Sequence, residues 1–174
     1  MLMKKLLIVV DYQKDFVDGA LGFKGAELLE DNICKRIIEF NNEGHDVVFT
    51  LDTHKEDYLK TVEGTNLPVV HCVKGTDGHR IYGKVEALAQ DKLKIEKETF
   101  GSRDLGDYLK EHIYDQIELV GLVSNICVFS NAVVCKTYQP NSRIIVWRDS
   151  ASSFDLEMQE KGYDILRNLH IEVL

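Results

Sequence analysis

Residues 121–133, with the sequence GLVSNICVFSNAV, join a buried strand to a helix. The apolar run 117–120 before them is typical of a strand in a parallel sheet, and residues 126–138 have a helical pattern. Cys127 therefore lies near the first turn of the helix, where free backbone N–H groups stabilise negative charge. A thiol in this place can have a lowered pKa and act as a nucleophile. The alternative is that Cys127 is a small buried hydrophobic residue.

Three further apolar runs are each followed by charged residues. The runs and their followers are 6–10 with Asp11, 47–51 with Asp52 and His54, and 93–95 with Glu96 and Lys97. The carboxyl ends of parallel strands lie along one edge of an open sheet, where ligands bind. We therefore expect carboxylates, an ammonium group and a thiol to meet at one edge. The alternative role for Asp11 and Lys97 is a plain ion pair at the edge of the sheet.

Strand and helix patterns alternate along the whole chain. Predicted strands cover 6–10, 46–51, 93–96, 117–121, 143–147 and 171–174, and predicted helices cover 26–43, 81–89, 105–113, 126–138 and 156–168. This order predicts an α/β fold of three layers, in which helices cover both faces of a six-stranded parallel sheet. Residues 53–80 are polar and irregular, which predicts a long functional loop. We expect a single domain over residues 1–174.

Composition excludes several classes of partner. The net charge is −8 and the pI is about 5.2, so neither nucleic acid nor an anionic membrane is expected to bind. No apolar run approaches the roughly 20 residues that span a bilayer. The start of the chain does not have the pattern of a signal peptide, which favours a cytoplasmic location. The four cysteines have no paired spacing and are expected to be free thiols.

Motifs in order along nearly the whole chain resemble those of the isochorismatase-like cysteine hydrolases. They are VDYQKDF at 10–16 with GAL at 19–21, DTH at 52–54, HCVKGT at 71–76, Lys97 with FGS at 100–102, and GLVSNICV at 121–128. The DTH and HCVKGT motifs are similar to those of the nicotinamidase/pyrazinamidase-like branch.

The resemblance implies a Rossmann-like fold and specific roles for individual residues. It implies a catalytic triad of Asp11, Lys97 and Cys127. It also implies an oxyanion hole formed by the backbone N–H groups of Val123 and Cys127, with a cis peptide bond between Leu122 and Val123. A metal ion would be held by Asp52, His54 and His71, and the substrate would lie between Phe16 and Phe100.

The chain departs from the nicotinamidase pattern in the region that covers the substrate ring. Thr53 stands where an aromatic residue is usual, and residues 66–70 lack the usual tryptophan. Tyr58 and Tyr82 are candidates to replace that tryptophan, and the alternative for these aromatic residues, as for Phe16 and Phe100, is that they simply fill the core. Whether His79, on the same loop as His71, contributes to the site is left open.

The expected activity is that of a metal-containing cysteine amidase. It would hydrolyse nicotinamide, or a related small amide, to the carboxylic acid and ammonia through a thioester acyl-enzyme. The cofactor would be one divalent metal ion, with zinc ahead of manganese or iron. The alternatives are an isochorismatase-like hydrolase of another small amide, ureide or vinyl ether, and a non-catalytic binding module on this fold. Assembly into a homo-oligomer is left open.

Overall fold

The computed structural model describes residues 3–174 and has the predicted α/β architecture, with helices on both faces of an all-parallel sheet. In the described part of the chain the sheet has six strands in the order β3-β2-β1-β4-β5-β6. The strands are β1 (Lys5–Val10), β2 (Asp46–Asp52), β3 (Leu93–Lys97), β4 (Gln116–Leu122), β5 (Arg143–Ser152) and β6 (Glu172–Val173). The predicted fold class is confirmed.

The helices are α1 (Lys14–Val17), α2 (Glu30–Asn42), α3 (Val62–Asn66), α4 (Gly83–Leu88), α5 (Arg103–Glu111), α6 (Phe129–Tyr138) and α7 (Leu156–Asn168). Helices α2 and α4 contribute their apolar side chains to the core on one face of the sheet. Helices α5, α6 and α7 contribute to the core on the other face. Alternate residues of a strand point to opposite faces, so Leu7 and Val9 of β1 enter the first core while Leu6 and Ile8 enter the second.

The predicted loop 53–80 is only partly irregular. It holds helix α3 and two 3₁₀ turns, Tyr58–Lys60 and Asp77–His79. The Thr61 hydroxyl oxygen accepts a hydrogen bond from the N–H of Gly64 and so caps the start of α3. Helices of one turn are too short to produce a hydrophobic period, and this is why the sequence pattern missed α3 and α1.

Two helix starts were predicted too early. A 3₁₀ turn, Glu27–Leu29, precedes α2, and a π-helical turn, Ser124–Val128, precedes α6. Cys127 therefore lies in a wide turn between β4 and α6 rather than in the helix itself. No helix among residues 3–174 is both long enough and apolar enough to cross a membrane.

Gly121 lets β4 approach β1 closely at the edge where the charged residues meet. Its φ is +112°, and a Cβ atom on Gly121 would lie 2.0 Å from the carbonyl oxygen of Val10. Only glycine adopts this conformation without strain. The close approach places Asp11, directly after β1, beside the turn that follows β4.

Gly121→Ala is expected to destabilise the fold strongly. Backbone strain costs about 1–3 kcal/mol, and the clash with the Val10 backbone adds an overpacking cost of about 1–3 kcal/mol. Gly44→Ala is the matched control, because Gly44 also has a positive φ, of +73°, but has nothing within 4 Å of the added Cβ. Urea unfolding of both variants measures the difference. Equal losses of unfolding free energy would contradict the close approach of β4 to β1.

Candidate active site

A buried ammonium group lies at the centre of the site. Lys97 Nζ is 2.6 Å from Asp11 Oδ2, 3.2 Å from Asp52 Oδ1 and 3.6 Å from Cys127 Sγ. It also donates a hydrogen bond of 2.9 Å to the carbonyl oxygen of Thr99. All four predicted strand-end residues are buried and come together. The sequence-based expectation of their meeting at one edge agrees with this geometry.

The two oxygens of Asp11 have different surroundings. Asp11 has a positive φ of 46°, and the Thr50 hydroxyl donates a hydrogen bond of 2.7 Å to its Oδ1. Oδ2 is buried and touches the ammonium of Lys97, but it has no well-directed hydrogen-bond donor. Oδ2 is therefore the oxygen available to accept a further proton.

Burial sets the protonation of the thiol and of its neighbour. Burial raises the pKa of the Cys127 thiol well above its usual range, although the Lys97 charge opposes this. The expectation of a lowered thiol pKa was therefore wrong, because the loss of hydration outweighs the nearby positive charge. Burial also raises the pKa of Asp11 against the opposing effect of Lys97. A neutral thiol beside a carboxylate of raised basicity suits proton transfer during attack.

A second cluster adjoins the first and shares Asp52 with it. Asp52, His54, Glu63 and His71 each offer one ligand atom, and these four atoms lie within 4.8 Å of one another. The Nε2 atoms of His54 and His71 are 2.8 Å and 3.4 Å from Asp52 Oδ2, and each is 3.7 Å from Glu63 Oε1. Glu63 was not predicted. It reaches the cluster from the first turn of α3, and no motif in the sequence indicated that helix.

The donor set fits a divalent cation. His71 Nδ1 lies 2.7 Å from the carbonyl oxygen of Val69, so Nδ1 carries a proton and Nε2 faces the carboxylate oxygens of Asp52 and Glu63. In the metal-free protein Nε2 donates to Asp52, and loss of the Nε2 proton would free its lone pair for a cation. Zn–N and Zn–O bonds are about 2.0–2.2 Å long, so ligands of one ion lie within about 4.4 Å of each other. Small side-chain movements bring the four atoms into that range.

Asp52 connects the two clusters through its two oxygens. Oδ1 contacts Lys97, and Oδ2 contacts His54 and His71. Burial favours the neutral acid, but hydrogen bonds from the two histidines and the charge of Lys97 hold the pKa of Asp52 below its usual range. Asp52 is therefore a carboxylate, as a metal ligand has to be.

A cavity of about 390 Å³ opens onto both clusters. Cys127 and Val123 line one side, and Asp52, Glu63 and His71 line another. The Leu122–Val123 peptide bond is cis, as the resemblance implied.

The apolar wall of the cavity contains the two aromatic residues expected from the sequence and others that were missed. Its side chains come from five segments of the chain and are Phe16, Leu21, Phe23, Leu67, Phe100, Ile126 and Phe154. The rings of Phe23 and Phe154 meet edge to face, with their centroids 6.3 Å apart. No sequence pattern linked these two rings, because they come from loops far apart along the chain.

Tyr58 and Tyr82 do not line this cavity, so neither of these two candidates stands in for the missing tryptophan there. The ring of Tyr58 packs on the rings of His54 and His71, and the ring of Tyr82 packs on that of Tyr12. Nε2 of His79 lies 2.8 Å from the hydroxyl of Thr53. His79 is not one of the four residues of the metal-binding cluster.

Comparisons with known proteins show the family and the fold. The family model of the Isochorismatase domain matches residues 5–174. PncA, an isochorismatase family protein of Bacillus subtilis, is 34% identical over 168 residues, which cover 89% of this chain and 90% of the relative. The crystal structure of nicotinamidase/pyrazinamidase PncA from Bacillus subtilis has a TM-score of 0.88 at 30% identity and covers 98% of this chain and 99% of that one. Pyrococcus horikoshii pyrazinamidase in complex with zinc has the same fold, with a TM-score of 0.87 at 24% identity and coverage of 98% of both chains.

The fold and these comparisons together define a hydrolase with an α/β architecture. The chain belongs to the isochorismatase family. Its relatives and structural neighbours match the nicotinamidase-like branch of that family, and they are hydrolases.

Lys97→Met is expected to destabilise the metal-free protein by about 3–5 kcal/mol, because it removes one partner of a buried charge cluster. Without the ammonium, Asp11 and Asp52 face each other, and their folded-state pKa values rise above the unfolded ones. The added loss of stability is therefore absent at low pH and grows as the pH rises above about 4. Urea midpoints at pH 5 and pH 8 measure this.

Lys74→Met is the control for the preceding variant, since Lys74 pairs with Glu96 on the surface. It is expected to change the midpoint little at either pH. A Lys97→Met midpoint that does not fall further between pH 5 and pH 8 than that of the control would contradict the proposed charge balance.

Proposed function

We propose that this protein is a metal-dependent cysteine amidase that hydrolyses nicotinamide, or a closely related small aromatic amide, to the carboxylic acid and ammonia. The observation that carries the proposal is the shared cavity, which has Cys127 on one side and the Asp52, Glu63 and His71 side chains on another. A small ring with a carboxamide is the kind of molecule that reaches the thiol and the metal-binding cluster at once. The names of the Bacillus subtilis and Pyrococcus horikoshii neighbours support this substrate class.

In the acylation step Cys127 Sγ attacks the amide carbon, and Asp11 takes the thiol proton as the S–C bond forms. The backbone N–H groups of Val123 and Cys127 are proposed to donate to the negative oxygen of the tetrahedral intermediate. Asp11 then gives its proton to the amine, the C–N bond breaks, and ammonia leaves a thioester on Cys127. Lys97 stabilises the carboxylate and the developing thiolate throughout.

In the deacylation step Asp11 takes a proton from water, and the resulting hydroxide equivalent attacks the thioester carbon. The S–C bond breaks, the sulfur recovers the proton from Asp11, and the carboxylic acid is released. The same carboxylate thus serves as base and then as acid in each half of the cycle. Its raised pKa suits both roles at neutral pH.

Asp52, His54, Glu63 and His71 would hold the divalent cation, with zinc proposed ahead of manganese or iron. When bound, such a cation supplies a positive charge that can orient a ring nitrogen or activate water. The ring itself would lie against Phe16 and Phe100, as predicted, and against the Phe23–Phe154 pair. Flat aromatic walls favour a flat ring over an aliphatic amide.

Zinc-loaded protein is expected to release ammonia from both nicotinamide and pyrazinamide. The physical reason is that both substrates combine a carboxamide with a ring nitrogen and fit the aromatic cavity. A coupled ammonia assay measures turnover, with the acid products identified by chromatography. If a folded, zinc-loaded sample turns over neither amide, the proposed substrate class is contradicted.

Cys127→Ala and Asp11→Asn are each expected to abolish turnover almost completely, since both residues serve one step. General acid–base catalysis contributes roughly a hundredfold to ten-thousandfold to the rate. The losses will not add in the double variant, because each change alone already disables the same step. Cys135→Ala is the matched control, because Cys135 is another buried free thiol and lies outside the cavity. Asp11→Asn with more than half of the wild-type rate would remove Asp11 from the mechanism.

Phe154→Ala is expected to raise KM for nicotinamide severalfold while kcat changes little, because the ring binds the substrate away from the reacting atoms. Leu156→Ala is the matched control: Leu156 is similarly exposed, two residues further along, and does not line the cavity. Steady-state kinetics of the two variants provide the comparison. An unchanged KM in Phe154→Ala would exclude Phe154 from the substrate wall.

A further inference from the structure

The side chain of Gln13 is completely buried, and its amide group forms hydrogen bonds with the backbones of Asp52 and His79. Its Nε2 donates hydrogen bonds of 2.9 Å to the carbonyl oxygens of Asp52 and His79. Its Oε1 accepts a hydrogen bond of 2.8 Å from the N–H of Asp52. The amide of Gln13 thus forms hydrogen bonds with both the N–H and the carbonyl oxygen of Asp52. Asp52 belongs both to the metal-binding cluster and to the ion pair with Lys97.

The backbone around Gln13 is itself fixed. Gln13 pairs antiparallel with Ile81. The N–H of Lys14 donates to the carbonyl oxygen of Arg80, and the N–H of Tyr82 donates to that of Tyr12, both at 2.9 Å. A side chain that extends from an anchored backbone can hold its partner at a fixed distance.

Alternate residues of this segment reach three parts of the site. Asp11 contacts Lys97, Gln13 holds Asp52, and Oδ2 of Asp15 accepts a hydrogen bond of 2.7 Å from the N–H of Cys72, the neighbour of His71. One short segment therefore sets the spacing between the thiol cluster and two parts of the metal-binding cluster.

We infer that Gln13 is a positioning residue for the metal-binding cluster: it fixes the backbone of Asp52 so that Oδ1 faces Lys97 and Oδ2 faces the two histidines. This inference rests on the metal-binding part of the proposed function. An amide is the group required here, because it donates twice and accepts once without a charge. A glutamate would add a negative charge to a site that already buries Asp11 and Asp52, and an apolar side chain would leave buried backbone groups unpaired.

Gln139 provides a matched control. It is also buried, its Nε2 donates to the carbonyl oxygens of Leu109 and His112 at 2.8 and 2.7 Å, and its Oε1 accepts from the N–H of Tyr114 at 3.0 Å. These residues precede β4, at the edge of the sheet opposite the site. The same substitution at Gln139 therefore measures the general cost of losing such a side chain.

The test compares wild type, Gln13→Met and Gln139→Met, with zinc ion as the probe. Methionine keeps the side-chain length and removes the hydrogen bonds. Chelator competition is expected to show a tenfold to hundredfold weaker zinc affinity for Gln13→Met, the usual effect of losing a group that orients a metal ligand. The zinc affinity of Gln139→Met is expected to stay within threefold of the wild-type value. Both variants are expected to unfold at a lower urea concentration than wild type when metal-free.

The absorption spectrum of bound cobalt(II) gives a second readout, because it reports ligand geometry rather than stability. It is expected to change in Gln13→Met and to stay the same in Gln139→Met. Equal zinc affinity and identical cobalt spectra in the two variants would overturn the inference. Wild-type protein that binds no zinc would contradict the proposed metal site itself, and the positioning role would fall with it.

A measurement on wild type covers the case in which Gln13→Met does not fold. The side-chain amide resonances of Gln13 in ¹⁵N-labelled protein are expected to shift when zinc is added, whereas those of Gln139 stay in place. Gln13 resonances that do not move on zinc saturation would overturn the inference without any variant.

Discussion

The buried ammonium of Lys97 is the constraint on which the rest of the site depends. A charge removed from water is costly unless oppositely charged groups surround it. Asp11 and Asp52 provide those groups from the ends of two other strands, at 2.6 and 3.2 Å. Burial lowers the pKa of Lys97, but the negative charges of these carboxylates raise it further, so the lysine stays protonated. The positions of three strand ends and of the Cys127 turn are thereby tied to one nitrogen atom.

The edge of the sheet could be predicted from sequence because its geometry follows from strand direction alone. Asp11, Asp52 and Lys97 each follow an apolar run, and parallel strands bring such residues together whatever their loops do. The close contact between β4 and β1 at Gly121 was not predicted, because the sequence alone does not show which glycine has a positive φ or lies against a neighbouring strand. The strand ends lie within one residue of the prediction except in β5, which continues five residues beyond its predicted end at Trp147.

Other features could not be predicted because they depend on tertiary packing. Glu63 reaches the metal-binding cluster through α3, a helix with no hydrophobic period, and Phe23 meets Phe154 across two loops. The pKa of Cys127 illustrates a second limit. Its position near a helix start favours the thiolate, but the sequence does not reveal how completely the fold excludes water from the sulfur.

The order of the four metal-binding residues along the chain has a consequence for the fold. They span positions 52 to 71: Asp52 ends β2, His54 follows it, Glu63 lies on α3, and His71 lies in the segment after α3. A cation held by all four would cross-link this stretch into a closed loop in the folded protein, and because it leaves on unfolding it would stabilise the folded state relative to the unfolded chain. Free metal at a hundred times its Kd stabilises a folded protein by about 2.7 kcal/mol. The segment that forms one side of the cavity would therefore owe part of its rigidity to the ion.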